Sequence, residues 1–198
     1  TVFLVGLFQV ESIKYLEKIR KTKIKELVPI GAPYLEYYLN NKIKHKCNSK
    51  TILVASSWGE KGCLIEYGTK FIIDLSIKGF HLIVRPHPQS FKSEKKLILK
   101  LKNQLSYYSN ITWDEDPSPL KSMSKASLLI SDTSAIRFDY HFLYNKPIIT
   151  LSIKQHNLSN YEFSDLKSDK KLLNSVFGKI IEGEEIDSLS KIVTESLN

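Results

Sequence analysis

Two short segments carry residue types suited to holding an anion. The first is Arg85-Pro86-His87-Pro88, directly after the apolar run Leu82-Ile83-Val84. Its prolines keep the backbone out of helix and strand geometry and fix where His87 points. Arg85 offers a planar fork of donors and His87 can give a hydrogen bond or a proton, so the pair suits a phosphate. A histidine merely satisfied in a turn is the plainer alternative, and the proline clamp at a strand end argues against it. The second segment is Ser131-Asp132-Thr133-Ser134, joining Leu128-Leu129-Ile130 to Ala135-Ile136-Arg137-Phe138-Asp139-Tyr140. Hydroxyls and unpaired amides at a helix start donate well to phosphate oxygens. The same residue types are also favoured N-caps. Asp132 would repel a phosphate, so it reads as a cap or a shaper of the loop. Asp139 lies one turn into the helix on the face of Ala135, where it either reaches ribose hydroxyls or is solvated.

A third segment is weaker. Ser56-Ser57-Trp58-Gly59-Glu60-Lys61-Gly62 follows the apolar run Ile52-Leu53-Val54-Ala55. Its amides, with Lys61 nearby, could take an anion, or it is an ordinary strand-to-helix turn. Trp113, Asp114 and Glu115 end a further strand without an assigned role, and Glu182 to Glu185 reads as a solvated acidic turn. No carboxylate cluster has metal-ligand character, so neither a metal nor another cofactor is expected.

These segments need a scaffold. Strand patterns fall at residues 2–6, 26–30, 51–56, 80–84, 110–113, 126–130 and 147–151. Helical patterns fall at 11–20, 34–42, 63–78, 93–105, 117–124, 134–143 and 186–197, with a further apolar patch at 172–177. The central strands are solid apolar runs, which implies burial on both faces. Helices alternating with them predict an α/β fold, a Rossmann-like doubly wound parallel sheet. In such sheets ligands bind beyond the carboxyl ends of the strands, where all three segments lie. A lysine-rich stretch at 41–50 reads as a linker.

Composition narrows the classes of partner. The chain has 198 residues, 42% of them hydrophobic and 25% charged, with a formal net charge of +8. At this length roughly 70% of the unfolded surface can be buried without a disulfide or metal. The lysines are scattered rather than gathered in one block, which argues against a nucleic-acid tail. The two cysteines, Cys47 and Cys63, have neither disulfide-framework nor zinc spacing and fit a reducing cytosol. No apolar run approaches the roughly 20 residues of a membrane span, and the opening Thr1-Val2-Phe3-Leu4-Val5 has no basic leader. The chain opens in mid-strand without Met, so a fragment lacking an upstream half is expected. The lysines at 95–102 suggest peripheral docking on an anionic inner leaflet.

In order, Ser-Trp-Gly, Arg-Pro-His-Pro, Leu-Ile-Ser-Asp-Thr-Ser, Phe-Asp-Tyr and Lys-Pro-Ile-Ile resemble the CDP-glycerol glycerophosphotransferase family, which builds teichoic-acid-like and capsular polymers. The resemblance runs from Ile52 to Thr150, with a weaker match at Val28-Pro29-Ile30-Gly31-Ala32-Pro33. It implies a glycosyltransferase-B-like enzyme of two Rossmann-like domains. Residues 1–46 would be the tail of the acceptor domain, or a leading βαβα segment, and 47–198 the donor-binding domain. The implied reaction transfers glycerol phosphate from CDP-glycerol to a hydroxyl on a polymer or lipid-linked acceptor, releasing CMP. His87 and Arg85 would act at the donor phosphates. Ser57, Gly59, Lys61, Ser131, Thr133, Ser134 and Asp139 would hold the nucleotide and its diphosphate. Ala135 departs from the family, where many relatives have a serine. The general base is expected in the absent domain, so this fragment should bind donor without turnover. Phosphate contacts do not identify the transferred group, and a UDP-sugar glycosyltransferase or epimerase-like enzyme is the alternative. A basic non-enzymatic module is a third reading, with no nucleic-acid motif to support it.

Overall fold

The computed structural model describes residues 1–44, 50–59, 62–153 and 178–197. Lys61 and the apolar patch at 172–177, both singled out in the sequence, lie outside the described residues. The chain forms two compact units.

The smaller unit covers Thr1–Asn41. Strand β1 (Val2–Leu4) and strand β2 (Leu27–Pro29) pair in parallel, joined by helix α1 (Phe8–Arg20), and helix α2 (Pro33–Asn40) follows. Helix α1 stops at Lys21, whose positive φ of 49° closes it in a left-handed cap. Pro33 opens α2, where the missing amide hydrogen costs nothing.

The larger unit holds a six-stranded sheet. Its strands are β3 (Thr51–Ser56), β4 (His81–Pro86), β5 (Ile111–Trp113), β6 (Leu128–Ser131), β7 (Ile148–Leu151) and β8 (Lys179–Ile181). Their order is β5-β4-β3-β6-β7-β8, and every pair is parallel. With β3 counted as the first strand, this is the Rossmann order, whose topological switch point falls between β3 and β6. The register sets Ser56 beside Pro86, Ala55 beside Ser131 and Ser131 beside Thr150, so these strands end at one level.

Helices cover both faces. On one lie α3 (Cys63–Glu66), α4 (Lys70–Ile77), α6 (Lys95–Leu105) and α9 (Leu189–Leu197), packed on Ile52, Val54, Leu82, Val84, Ile130 and Ile149. The other receives α7 (Leu120–Lys125) and α8 (Ile136–Tyr144), with Met123, Tyr140 and Leu143 buried. A one-turn helix α5 (Ser90–Ser93) precedes α6. Burial on both faces explains why Ile52-Leu53-Val54-Ala55 shows no polar alternation: all four are 3% exposed or less.

Several elements differ from expectation. The helix expected at 63–78 is two helices, because Gly68 adopts a φ of +61° that interrupts it. Glu182 to Glu185 is more than a solvated turn: Glu182 and Glu185 form a reciprocal capping box that starts a 3-10 turn, Gly183–Ser188, leading into α9. Strand β8 has no counterpart among the expected strands, being three residues long with its first residue exposed.

Candidate functional site at the sheet's carboxyl edge

The switch point is built around one carboxylate. Asp132, the first residue beyond β6, is fully buried. Its Oδ2 accepts the amides of Ser57 and Cys63, each at 2.8 Å. Its Oδ1 accepts the Ser57 hydroxyl at 2.6 Å and the Ser134 amide at 3.0 Å. The N-terminal end of α3 thus receives its anion from within the protein. That favourable placement beside a helix start offsets part of the cost of burying the charge. Asp132 is therefore a shaper of the loops, one of the two roles read for it from sequence.

The loop after β3 is tied down further. The Gly59 amide donates to Glu94 Oε1 at 2.9 Å, and Gly59 has a φ of +74°. A Cβ on Gly62 would stand 2.3 Å from the Ser57 carbonyl oxygen, so only glycine fits there. The Ser56 hydroxyl lies 2.9 Å from the Ser57 carbonyl oxygen, to which it donates, and accepts the Leu64 amide at 3.3 Å. On the β6 side, the Ser131 hydroxyl donates to the Ala55 carbonyl at 2.7 Å and is fully buried. Ser57, Gly59 and Ser131, expected to face a diphosphate, make these bonds to other residues of the fold.

Arg85 also differs. Strand β4 runs through Pro86, so Arg85 sits within the sheet and is 6% exposed. Its Nη1 pairs with Asp114 Oδ2 at 2.6 Å and its Nη2 donates to the Pro117 carbonyl at 3.2 Å. The Ser122 hydroxyl donates to the same Asp114 carboxylate. Asp114, without a role in the sequence, is the counter-ion that holds the β5–α7 connection on β4.

His87 is the first residue past the sheet edge and is exposed. Its Nδ1 accepts the Gln89 amide at 3.1 Å, which leaves Nε2 as the ring nitrogen that can donate outward. Trp58 lies beside it, ring centroids 6.5 Å apart and planes tilted by 38°, and the indole is 53% exposed. Two rings on pinned loops make an aromatic shelf at the ends of β3 and β4.

At the start of α8, Thr133 is exposed and Ser134 half-buried. The amides of Thr133, Ala135 and Ile136 meet no acceptor among the described residues. Asp139 lies in the first turn of α8, half-buried. Sequence reasoning gave no weight to Arg137, which is 4% exposed. Its Nη1 donates to Thr150 Oγ1 at 3.1 Å and its Nε to the Ser134 carbonyl at 3.3 Å. Burial lowers its pKa and the neighbouring Asp132 opposes that. An arginine in the first turn after a buried aspartate was the available signal.

Burial, and then Asp132, push the Cys63 thiol well above its ordinary value. Tyr67, whose hydroxyl donates to the Ser152 carbonyl, is raised by partial burial. A cleft of about 470 Å³ lies at the opposite edge of the sheet, lined by Lys50, Lys78, Phe80 and Lys191 among others, and receives none of these residues.

The sheet order and its carboxyl-edge loops define a Rossmann-like α/β domain resembling those of GT-B enzymes. Solved structures that share it include the following two. TarM superposes with a TM-score of 0.55 at 16% identity, over 100% of this chain and 36% of TarM. The UDP-GlcNAc 2-epimerase from Methanocaldococcus jannaschii does so with a TM-score of 0.51 at 18% identity, over 84% of this chain and 43% of the epimerase. The chain therefore spans well under half of either protein. No family model matches the chain. No curated protein matches it either.

Proposed function

We propose that the larger unit binds the nucleotide diphosphate of an activated sugar, as the donor domain of a GT-B-like transferase or epimerase. The observation that carries this reading is the start of α8 at the switch point. There three amides lack acceptors among the described residues, while the competing helix start at α3 is filled by Asp132. Phosphate oxygens over α8 would receive those amides and the Thr133 and Ser134 hydroxyls, aided by the helix dipole. Asp139, farther along α8, would take the ribose hydroxyls. Lys61 would add charge from the loop after β3.

The remaining nominated residues take positioning roles. Arg85, Ser131, Ser57 and Gly59 fix the two loops through the bonds described. His87 faces the other side of the switch point, and its Nε2–H would bond the leaving phosphate as charge develops there. Trp58 would lie against the transferred group. An acceptor hydroxyl attacking the anomeric carbon expels the nucleoside diphosphate, and catalysis here is preorganised charge stabilisation at the leaving group.

CDP-glycerol is a second reading, favoured by the order of Arg85-Pro86-His87-Pro88, Ser131-Asp132-Thr133-Ser134 and Phe138-Asp139. In that case the hydroxyl attacks the distal phosphorus and CMP leaves, with charge gathering at the same helix start. Thermal unfolding with UDP, UDP-GlcNAc, CDP and CDP-glycerol separates the two. A ligand at 100 times its Kd stabilises by about 2.7 kcal/mol, a rise of roughly 5–10 °C in Tm. The sugar reading expects that rise with UDP and UDP-GlcNAc. A rise confined to CDP and CDP-glycerol selects the second reading, and no rise with any of the four rejects both.

A further inference from the structure

We propose that the exposed face of α6 is a docking surface for an anionic lipid bilayer. Lys95, Lys96, Leu99, Lys100 and Asn103 are all exposed. At 3.6 residues per turn they fall within about 140° of one another. Ile98, Leu101 and Leu105 occupy the opposite side, buried in the core. Lys92 on α5 and Tyr107 just past α6 extend the strip at its two ends and are exposed as well.

Charge on this face is of one sign. Among the described residues, none of Lys92, Lys95, Lys96 and Lys100 pairs with a carboxylate. The nearby acids are engaged elsewhere: Glu94 accepts the Gly59 amide, and Glu115 pairs with Lys102. Leu99 is 60% exposed and Tyr107 90% exposed, amid these lysines. A folded surface gains nothing from leaving both in water. Four cations flanking apolar and amphipathic side chains match the boundary of an anionic leaflet, where lysine heads meet phosphates and the apolar groups enter the headgroup layer. A nucleic acid would satisfy the lysines but leave Leu99 without an apolar partner.

The strip starts at the functional edge. Helix α6 connects two parallel strands and so runs back along the sheet, which places its first turn at the carboxyl edge beside Glu94. Docking there would bring Trp58 and His87 near the bilayer surface, within reach of a lipid-borne ligand.

Co-sedimentation of the full chain with phosphatidylcholine vesicles, with and without phosphatidylglycerol, tests this. Binding is expected only with phosphatidylglycerol and should weaken as salt rises. Each lysine neutralised should lower partitioning roughly fivefold. A variant carrying Lys92→Glu, Lys95→Glu, Lys96→Glu and Lys100→Glu should not sediment, with an unchanged melting temperature showing that it is folded. Leu99→Ser with Tyr107→Ser should weaken binding while leaving the charge intact. Undiminished binding by either variant overturns the proposal. So does an absence of vesicle binding alongside binding to RNA that the four-glutamate variant loses.

Discussion

Asp132 is the residue on which the carboxyl-edge loops depend. Four donors converge on its buried carboxylate, so Asp132→Ala leaves them all unsatisfied. The expected cost is about 3–5 kcal/mol, read from urea unfolding. Asp132→Asn should also destabilise, because an amide oxygen replaces only half of the acceptor and its NH2 group opposes the amides. Arg85→Ala should cost a similar amount, about 3–5 kcal/mol, since it leaves Asp114 buried without its counter-ion. A loss below about 1 kcal/mol in either alanine variant would contradict the roles given to them. Cys63 gives a pH dependence. Its thiol is raised in the folded state from an ordinary value of 9.0, so the unfolded chain releases that proton first. The folded state then binds more protons, and stability should fall as pH rises past about 9. Cys63→Ala should flatten that decline, and an unaltered profile would deny the thiol a part. Tyr67, raised as well, adds a fall of the same sign at higher pH.

At the scale of elements, the loop between β3 and α3 is fixed more by contacts than by propensity. Gly62 has no room for a Cβ against the Ser57 carbonyl. Gly62→Ala should therefore push the Ser57 amide off Asp132, lowering stability by roughly 2–3 kcal/mol and abolishing nucleotide binding together. Urea unfolding and calorimetric titration check both. Elements of this kind divide into those legible in the sequence and those not. Solid apolar runs such as Ile52-Leu53-Val54-Ala55 announced a two-sided parallel sheet, whereas the prolines around His87 put the strand end before Arg85 and β4 in fact runs through Pro86. Side-chain commitments were not legible. Nothing local to Arg85 says that strand β4 extends through Pro86, or that Asp114, 29 positions on, waits to pair with it. The hydroxyls of Ser57 and Ser131 look free for a ligand until the register sets β3 beside β6. Gly68 falls inside the helical pattern at 63–78, yet its positive φ turns α3 into α4.

The whole molecule has two tryptophans, Trp58 and Trp113, which makes the aromatic shelf observable. Trp113 sits under the Lys102 ammonium, 5.5 Å from its ring centroid, away from the switch point. In a Trp113→Phe background, emission therefore comes from Trp58 alone. It should be quenched or blue-shifted by the preferred donor more than by its free nucleotide, and equal responses would remove the transferred group from the shelf. Among the described residues no helix is long and apolar enough to cross a membrane.

The Asp132 latch also bears on how the domain assembles over time. Its partners Ser57 and Cys63 lie 75 and 69 positions earlier in the chain. The latch cannot close until β6 has docked on β3, and long-range pairings of this kind form slowly. Cys63 is fully covered once that has happened. With Cys47 replaced, the thiol becomes a clock: its loss of reactivity toward a pulse of alkylating reagent during refolding times the closing of the switch point, separately from the compaction of the rest of the sheet.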